Sequence, residues 1–159
     1  MTYDIDFMRL QPGRTFQETL DEINAAFDPD ADIELVPMDL TGEQRAVWDR
    51  IVRRISREVG PVTTGEFRYS LTLWRDGPVG RLQLNYDGNS ASVQIPYRYS
   101  GEAALPIVEE AYRIARVVEQ ESGLVGHDFQ TDRPVGDGAV EAAAADLGGI
   151  AGWVAENLT

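Results

Sequence analysis

Lysine and cysteine are both missing from this chain of 159 residues, and histidine occurs once, at His127. Each shortage removes a class of chemistry. Without cysteine there is no disulfide framework, no thiolate nucleophile and no zinc–thiolate site. Without lysine there is no P-loop phosphate ligand, and one imidazole argues against the common multi-histidine metal centres. No apolar run approaches the roughly 18 residues that span a bilayer. The opening Met1-Thr2-Tyr3-Asp4-Ile5-Asp6 lacks the basic start and apolar run of a signal peptide, so the expected compartment is cytoplasm.

All fixed positive charge is therefore guanidinium. The 14 arginines face 27 carboxylates, for a net charge of -13 at pH 7. Such a field repels phosphate and anionic lipid and attracts cationic partners. Nucleic acid and membrane are set aside as partners. Apolar residues make up 43% and charged residues 26%, as in a globular protein and unlike a disordered one. One domain of this length buries roughly 70% of its unfolded surface.

Along the chain, Tyr3, Ile5 and Phe7 alternate with polar neighbours and predict a strand that Pro12-Gly13 ends. Thr15 to Glu18 reads as a capping box, and Phe16, Leu20, Ile23 and Phe27 predict an amphipathic helix over 15–27. A second box, Thr41 to Gln44, opens a helix with Trp48, Ile51, Val52, Ile55 and Val59 as its buried stripe. From Glu66 the period becomes two. Phe67, Tyr69, Leu71 and Leu73 share a face, then Leu82, Leu84 and Tyr86, then Ala91, Val93, Ile95 and Tyr97. Asp76-Gly77 and Asp87-Gly88 predict tight hairpins between these runs. Leu105, Val108, Tyr112, Ala115 and Val118 line a central helix that Gly123 ends, and residues 124–129 supply a last strand. The order β-α-α-β-β-β-α-β is an α+β fold, a mostly antiparallel sheet with helices on one face. Residues 1–134 form the expected single domain, and 135–159 a Gly/Ala-rich, weakly helical extension.

Several constellations invite chemistry. Asp28, Asp30, Asp32 and Glu34 alternate as in the first half of a calcium loop, but Ile33 and Asp39 stand where the glycine turn and glutamate clamp are needed. That stretch reads as a solvated acidic loop. His127 beside Asp128 would suit acid–base work, yet neighbours in a strand point to opposite faces. Arg50, Arg53, Arg54 and Arg57 form a stripe on the second helix, read as a solvated face with Asp49–Arg53 and Arg54–Glu58 pairs. Gly77-Pro78-Val79-Gly80 and Gly136-Asp137-Gly138 are turns without phosphate-cradle context. Trp74 alternates away from the core face and, with Tyr97 and Tyr99, is a candidate aromatic contact patch.

The strand Tyr3-Asp4-Ile5-Asp6-Phe7, the segment Ser90 to Tyr97, the helix start Gly101-Glu102-Ala103 and the closing Glu121 to Gln130 carry a resemblance. Over residues 3–133 the chain is similar to a group of small, mainly actinobacterial cytoplasmic proteins, some of which resemble immunity proteins of toxin systems. They begin with a Tyr-Asp-Leu-like strand and close with Gly-Leu and then Asp-Pro-Gln; here Phe129 replaces the proline and His127 a common tyrosine. The resemblance implies no catalytic motif and no cofactor.

These readings converge on an acidic, non-catalytic protein-binding domain that covers a basic partner, as an immunity protein covers a cationic toxin. The expected contacts are Asp28, Asp30, Asp32 and Glu34, with Trp74 as anchor. Two alternatives stay open: a small-molecule site or enzyme built on His127, Asp128 and an arginine, and a self-assembling homo-oligomer joined through the C-terminal segment. No catalytic residue, metal or cofactor is assigned.

Overall fold

The computed structural model describes residues 2–30, 36–135 and 140–157, apart from the side chain of Val154. Strands β1 (Thr2–Met8), β2 (Thr63–Glu66), β3 (Leu71–Gly77), β4 (Gly80–Tyr86), β5 (Ser90–Pro96), β6 (Val125–Asp128) and β7 (Arg133–Pro134) form one antiparallel sheet. Its order is β2-β3-β4-β5-β1-β6-β7. The expected α+β class is what the chain adopts. The N-terminal strand sits inside the sheet, paired with β5 on one side and β6 on the other.

Alternation explains the two faces. Tyr3, Ile5 and Phe7 of β1, Leu82, Leu84 and Tyr86 of β4, and Ala91, Val93 and Ile95 of β5 are all buried. They pack beneath α2 (Gly42–Glu58), α3 (Ala104–Ser122) and α4 (Val140–Asn157). Helix α2 starts on a complete capping box: the Thr41 hydroxyl accepts the Gln44 amide at 3.1 Å, and the Gln44 side chain accepts the Thr41 amide at 2.9 Å. Each bond satisfies an amide that the first helical turn leaves free. Helix α3 follows a short 3-10 turn and ends at Gly123, whose φ of 74° suits glycine. Helix α4 is a single helix that lies on α3, with Ala143 and Leu147 inside the common core.

Four expectations need correction. The alternating run does not begin at Phe67: residues 67–70 are a turn, Phe67 and Tyr69 are exposed, and an unforeseen strand, β2, pairs with β3 before them. The first hairpin turns at Pro78-Val79, between Gly77 and Gly80, two residues past Asp76-Gly77. Helix α1 (Phe16–Ala26) buries Phe16 and Thr19, while Ile23 and Phe27 of its predicted stripe are more than half exposed. The arginine stripe of α2 is not simply solvated. Arg50 and Arg54 both reach Glu121 on α3, at 3.1 and 3.2 Å, and tie the two helices together. Arg54 also pairs with Glu58 at 2.7 Å, and Arg53 bonds the Asp49 carbonyl rather than its carboxylate.

One buried ion pair crosses the layers. Arg75 of β3 and Glu110 of α3 approach to 3.5 Å with both side chains over nine-tenths buried. The guanidinium also donates to the carbonyls of Pro61 and Val59, just past the end of α2. Uncapped carbonyls at a helix end favour a cation.

Candidate functional site

Helices α2, α3 and α4 cover one face of the sheet, but not all helices share it as expected. Helix α1 lies on the other face at β6, where Phe16 stacks on His127, and the rest of that face carries mainly polar side chains. Cross-strand register sorts them into rows. Thr72, Asn85, Ser92, Asp6 and His127 succeed one another across β3, β4, β5, β1 and β6; Trp74, Gln83, Gln94 and Asp4 form the adjacent row. Asn85 is the hub. Its carbonyl accepts from Thr72 at 2.9 Å and from Gln83 at 3.2 Å, and its amide donates to Gln94 at 3.4 Å. A side-chain amide engaged at both ends fixes its neighbours in one arrangement.

A concavity of about 460 Å³ opens on this face, lined by Asp6, Ser70, Asn85 and Ser92 with Tyr69 and Asp87. Burial, and then the nearby Asp4 carboxylate, push the Asp6 carboxyl above its ordinary value. Both disfavour its charged form. Asp87 is committed to the turn, where one oxygen accepts the amides of Asn89 and Ser90.

Trp74 lies on the polar face, partly buried, and its indole nitrogen donates to Gln83 at 3.2 Å. Its ring meets Phe67 edge to face, with centroids 5.9 Å apart. A Cβ built on Gly65 would fall 3.1 Å from each ring, so the pair roofs the backbone of β2 at that glycine. Tyr97 and Tyr99 are half-buried against the core, and the Tyr99 hydroxyl accepts the Arg81 amide at 2.7 Å.

The histidine and its neighbour are divided as strand alternation requires. His127 stacks on Phe16 at 4.8 Å, meets Phe129 edge-on at 4.8 Å, and bonds Asp132 at 3.2 Å. Asp128 points into the core. One oxygen accepts the hydroxyls of Tyr3 and Tyr112, each at 2.6 Å, and the other accepts the Gln130 and Thr131 amides. Burial and this carboxylate hold both phenols well above their ordinary range. His127 and Asp128 therefore face opposite sides of β6: the imidazole meets the Asp132 carboxylate, Asp128 is a structural hub, and the buried Arg75 is paired with Glu110. Among the described residues no group of histidine, cysteine or carboxylate side chains could hold a metal ion, and no helix is long and apolar enough to cross a membrane.

No family model, curated protein or solved structure matches this chain. Its chemistry has to be read from its own geometry.

The residues assigned to partner contact are placed unevenly. Asp28 and Asp30 are exposed, and the Asp28 carboxylate accepts the Asp30 amide at 2.9 Å. Asp32 and Glu34 lie outside the described residues. Phe16, at the start of α1, packs on β6, four strands from Trp74 and about 19 Å away at the usual strand spacing. Sequence reasoning missed Phe67 and Tyr69 as surface aromatics and missed β2 as a sheet edge. Pro61 and Gly65 flank and interrupt that four-residue strand, which weakens its alternation signal.

Proposed function

We propose that this protein is a non-catalytic binding domain that takes a basic protein partner in the cytoplasm. The observation that carries the reading is that the histidine, the strand-end aspartate and the core arginine are each engaged in a separate structural contact rather than gathered in one cleft. His127 packs in a cluster with the Phe16 and Phe129 rings and bonds Asp132, Asp128 is buried against two tyrosines, and Arg75 is engaged by Glu110. Among the exposed aromatic residues, Phe67 packs against Trp74 with Tyr69 two residues away, beside a polar sheet face bearing Asp4 and Asp6. Exposed Asp28 and Asp30 add to a field of net charge -13. Charge complementarity speeds encounter, and aromatic anchors set residence time. An immunity-type inhibitor covering a cationic toxin is the form of this function that the resemblance favours.

The test is affinity capture with the intact chain at low ionic strength, followed by titration of the retained protein. The expected partner has a basic isoelectric point and loses affinity as salt screens the charges. Replacing Phe67 and Trp74 together by alanine should weaken it by about tenfold or more. Retention of no basic protein, or binding indifferent to salt, would overturn the reading.

A further inference from the structure

We infer that the outer edge of β2, with the groove between β2 and α2, receives an extended segment of the partner as an eighth strand. This rests on the protein-binding reading above and names the surface that performs it. Among the described residues β2 ends the sheet on its side and its outer flank pairs with no strand; the nearest main-chain contact is the Met38 amide, which donates to the Arg68 carbonyl in the β2–β3 turn at 2.9 Å. The Phe67 amide donates to the Ser70 carbonyl at 2.8 Å. Alternation from that pair turns the main-chain groups of Thr63 and Gly65 toward β3 and those of Thr64 and Glu66 outward. The far end of the sheet differs. There β7 has two residues, and Pro134 has no amide hydrogen to offer.

Both flanks of this edge are shaped for side chains. On the helical side, Thr64 faces Trp48, Asp49, Val52 and Arg53 of α2 across a groove of about 400 Å³. An Arg45–Glu66 ion pair at 2.9 Å bridges α2 and β2 at the hairpin end. On the opposite side the Phe67 and Trp74 rings cover Gly65 and present an aromatic surface. An added strand sends successive side chains to alternate faces. One set would enter the groove against Trp48 and Val52, and the other would lie on the rings. Main-chain bonds then supply affinity, and the two flanking surfaces supply specificity.

Charge selects the occupant. A second copy would bring another net charge of -13 to the same edge, which like-charge repulsion opposes. The groove is locally balanced, Asp49 beside Arg53 and Glu66 paired with Arg45, so it is the net charge of -13 over the whole chain that favours a segment carrying arginine or lysine among apolar residues.

The probe is a synthetic peptide of about eight residues alternating valine and arginine, compared with the same peptide N-methylated at alternate amides. Fluorescence anisotropy reads affinity, and amide hydrogen exchange reads position. The unmodified peptide is expected to bind and to slow exchange at Thr64 and Glu66. The N-methylated peptide, and the unmodified peptide on Thr64→Pro, should bind at least about tenfold more weakly. Equal binding by the two peptides, unchanged exchange at Thr64 and Glu66, or no binding overturns the inference; the peptide comparison decides it even if Thr64→Pro misfolds. A captured basic partner held equally by wild type and a folded Thr64→Pro would sink strand addition alone. Absence of any basic partner would sink the binding reading itself.

Discussion

Asp6 and Asp128 sit on neighbouring strands, yet their surroundings assign them opposite roles. Asp128 faces inward to four donors, two hydroxyls and two amides. Asp6 faces the open side with Asp4 two residues away, and burial followed by that neighbour raises its pKa from 3.8. Between that value and the raised one, the folded protein binds more protons than the unfolded chain. Stability therefore falls as pH rises through the window and stays reduced above it. Asp6→Asn removes the charge without changing shape much. It should be more stable than wild type near pH 7, with the difference shrinking to nothing below 3.8, as read from urea midpoints across pH. The acids themselves were plain in the sequence. Which one finds donors depends on the strand face and on Tyr112, which α3 brings from 16 residues away.

Between elements, the Arg75–Glu110 pair was partly legible. Arg75 shares parity with Leu71 and Leu73, and Glu110 falls among Ile107, Ala111 and Ile114 on the buried side of α3. Two opposite charges at core positions are a signal for a pair, but only the packing of α3 over β3 shows that they meet. Glu110→Leu would leave a buried guanidinium without its carboxylate and should destabilise by about 3–5 kcal/mol. Adding Arg75→Met should recover most of that loss, and a denaturation double-mutant cycle measures the coupling. Helix α1 teaches the reverse lesson. Its period correctly marked a helix, and Thr15 caps it by accepting the Glu18 amide at 3.1 Å. An apolar stripe states what a helix could bury, whereas α2, α3 and α4 occupy the inner face of the sheet and leave Ile23 and Phe27 outside.

For the whole molecule, α4 belongs to the same packed core as the strands. Leu147 and Ala143 are fully buried in it, alongside Val135 from the connecting segment. Removing residues 140–159 would uncover the α3 surface on which α4 rests. Loss of a buried leucine alone costs about 2–5 kcal/mol. The truncated chain should therefore melt at a lower temperature with a broader transition and bind a hydrophobic dye, measurable by calorimetry and fluorescence. An unchanged melting curve would mean that α4 is dispensable to the core.

The sequence by itself determined the α+β class, the complete cap of α2, the alternation of β1, β4 and β5, and the division of His127 from Asp128. These follow from local periodicities, and a period-two segment has no choice about sending neighbours to opposite faces. Tertiary structure alone decided which acid is buried, where α1 comes to rest, and that a short, glycine-containing strand ends the sheet beside α2. Such features depend on residues far apart in the chain arriving together, and no local pattern encodes that meeting.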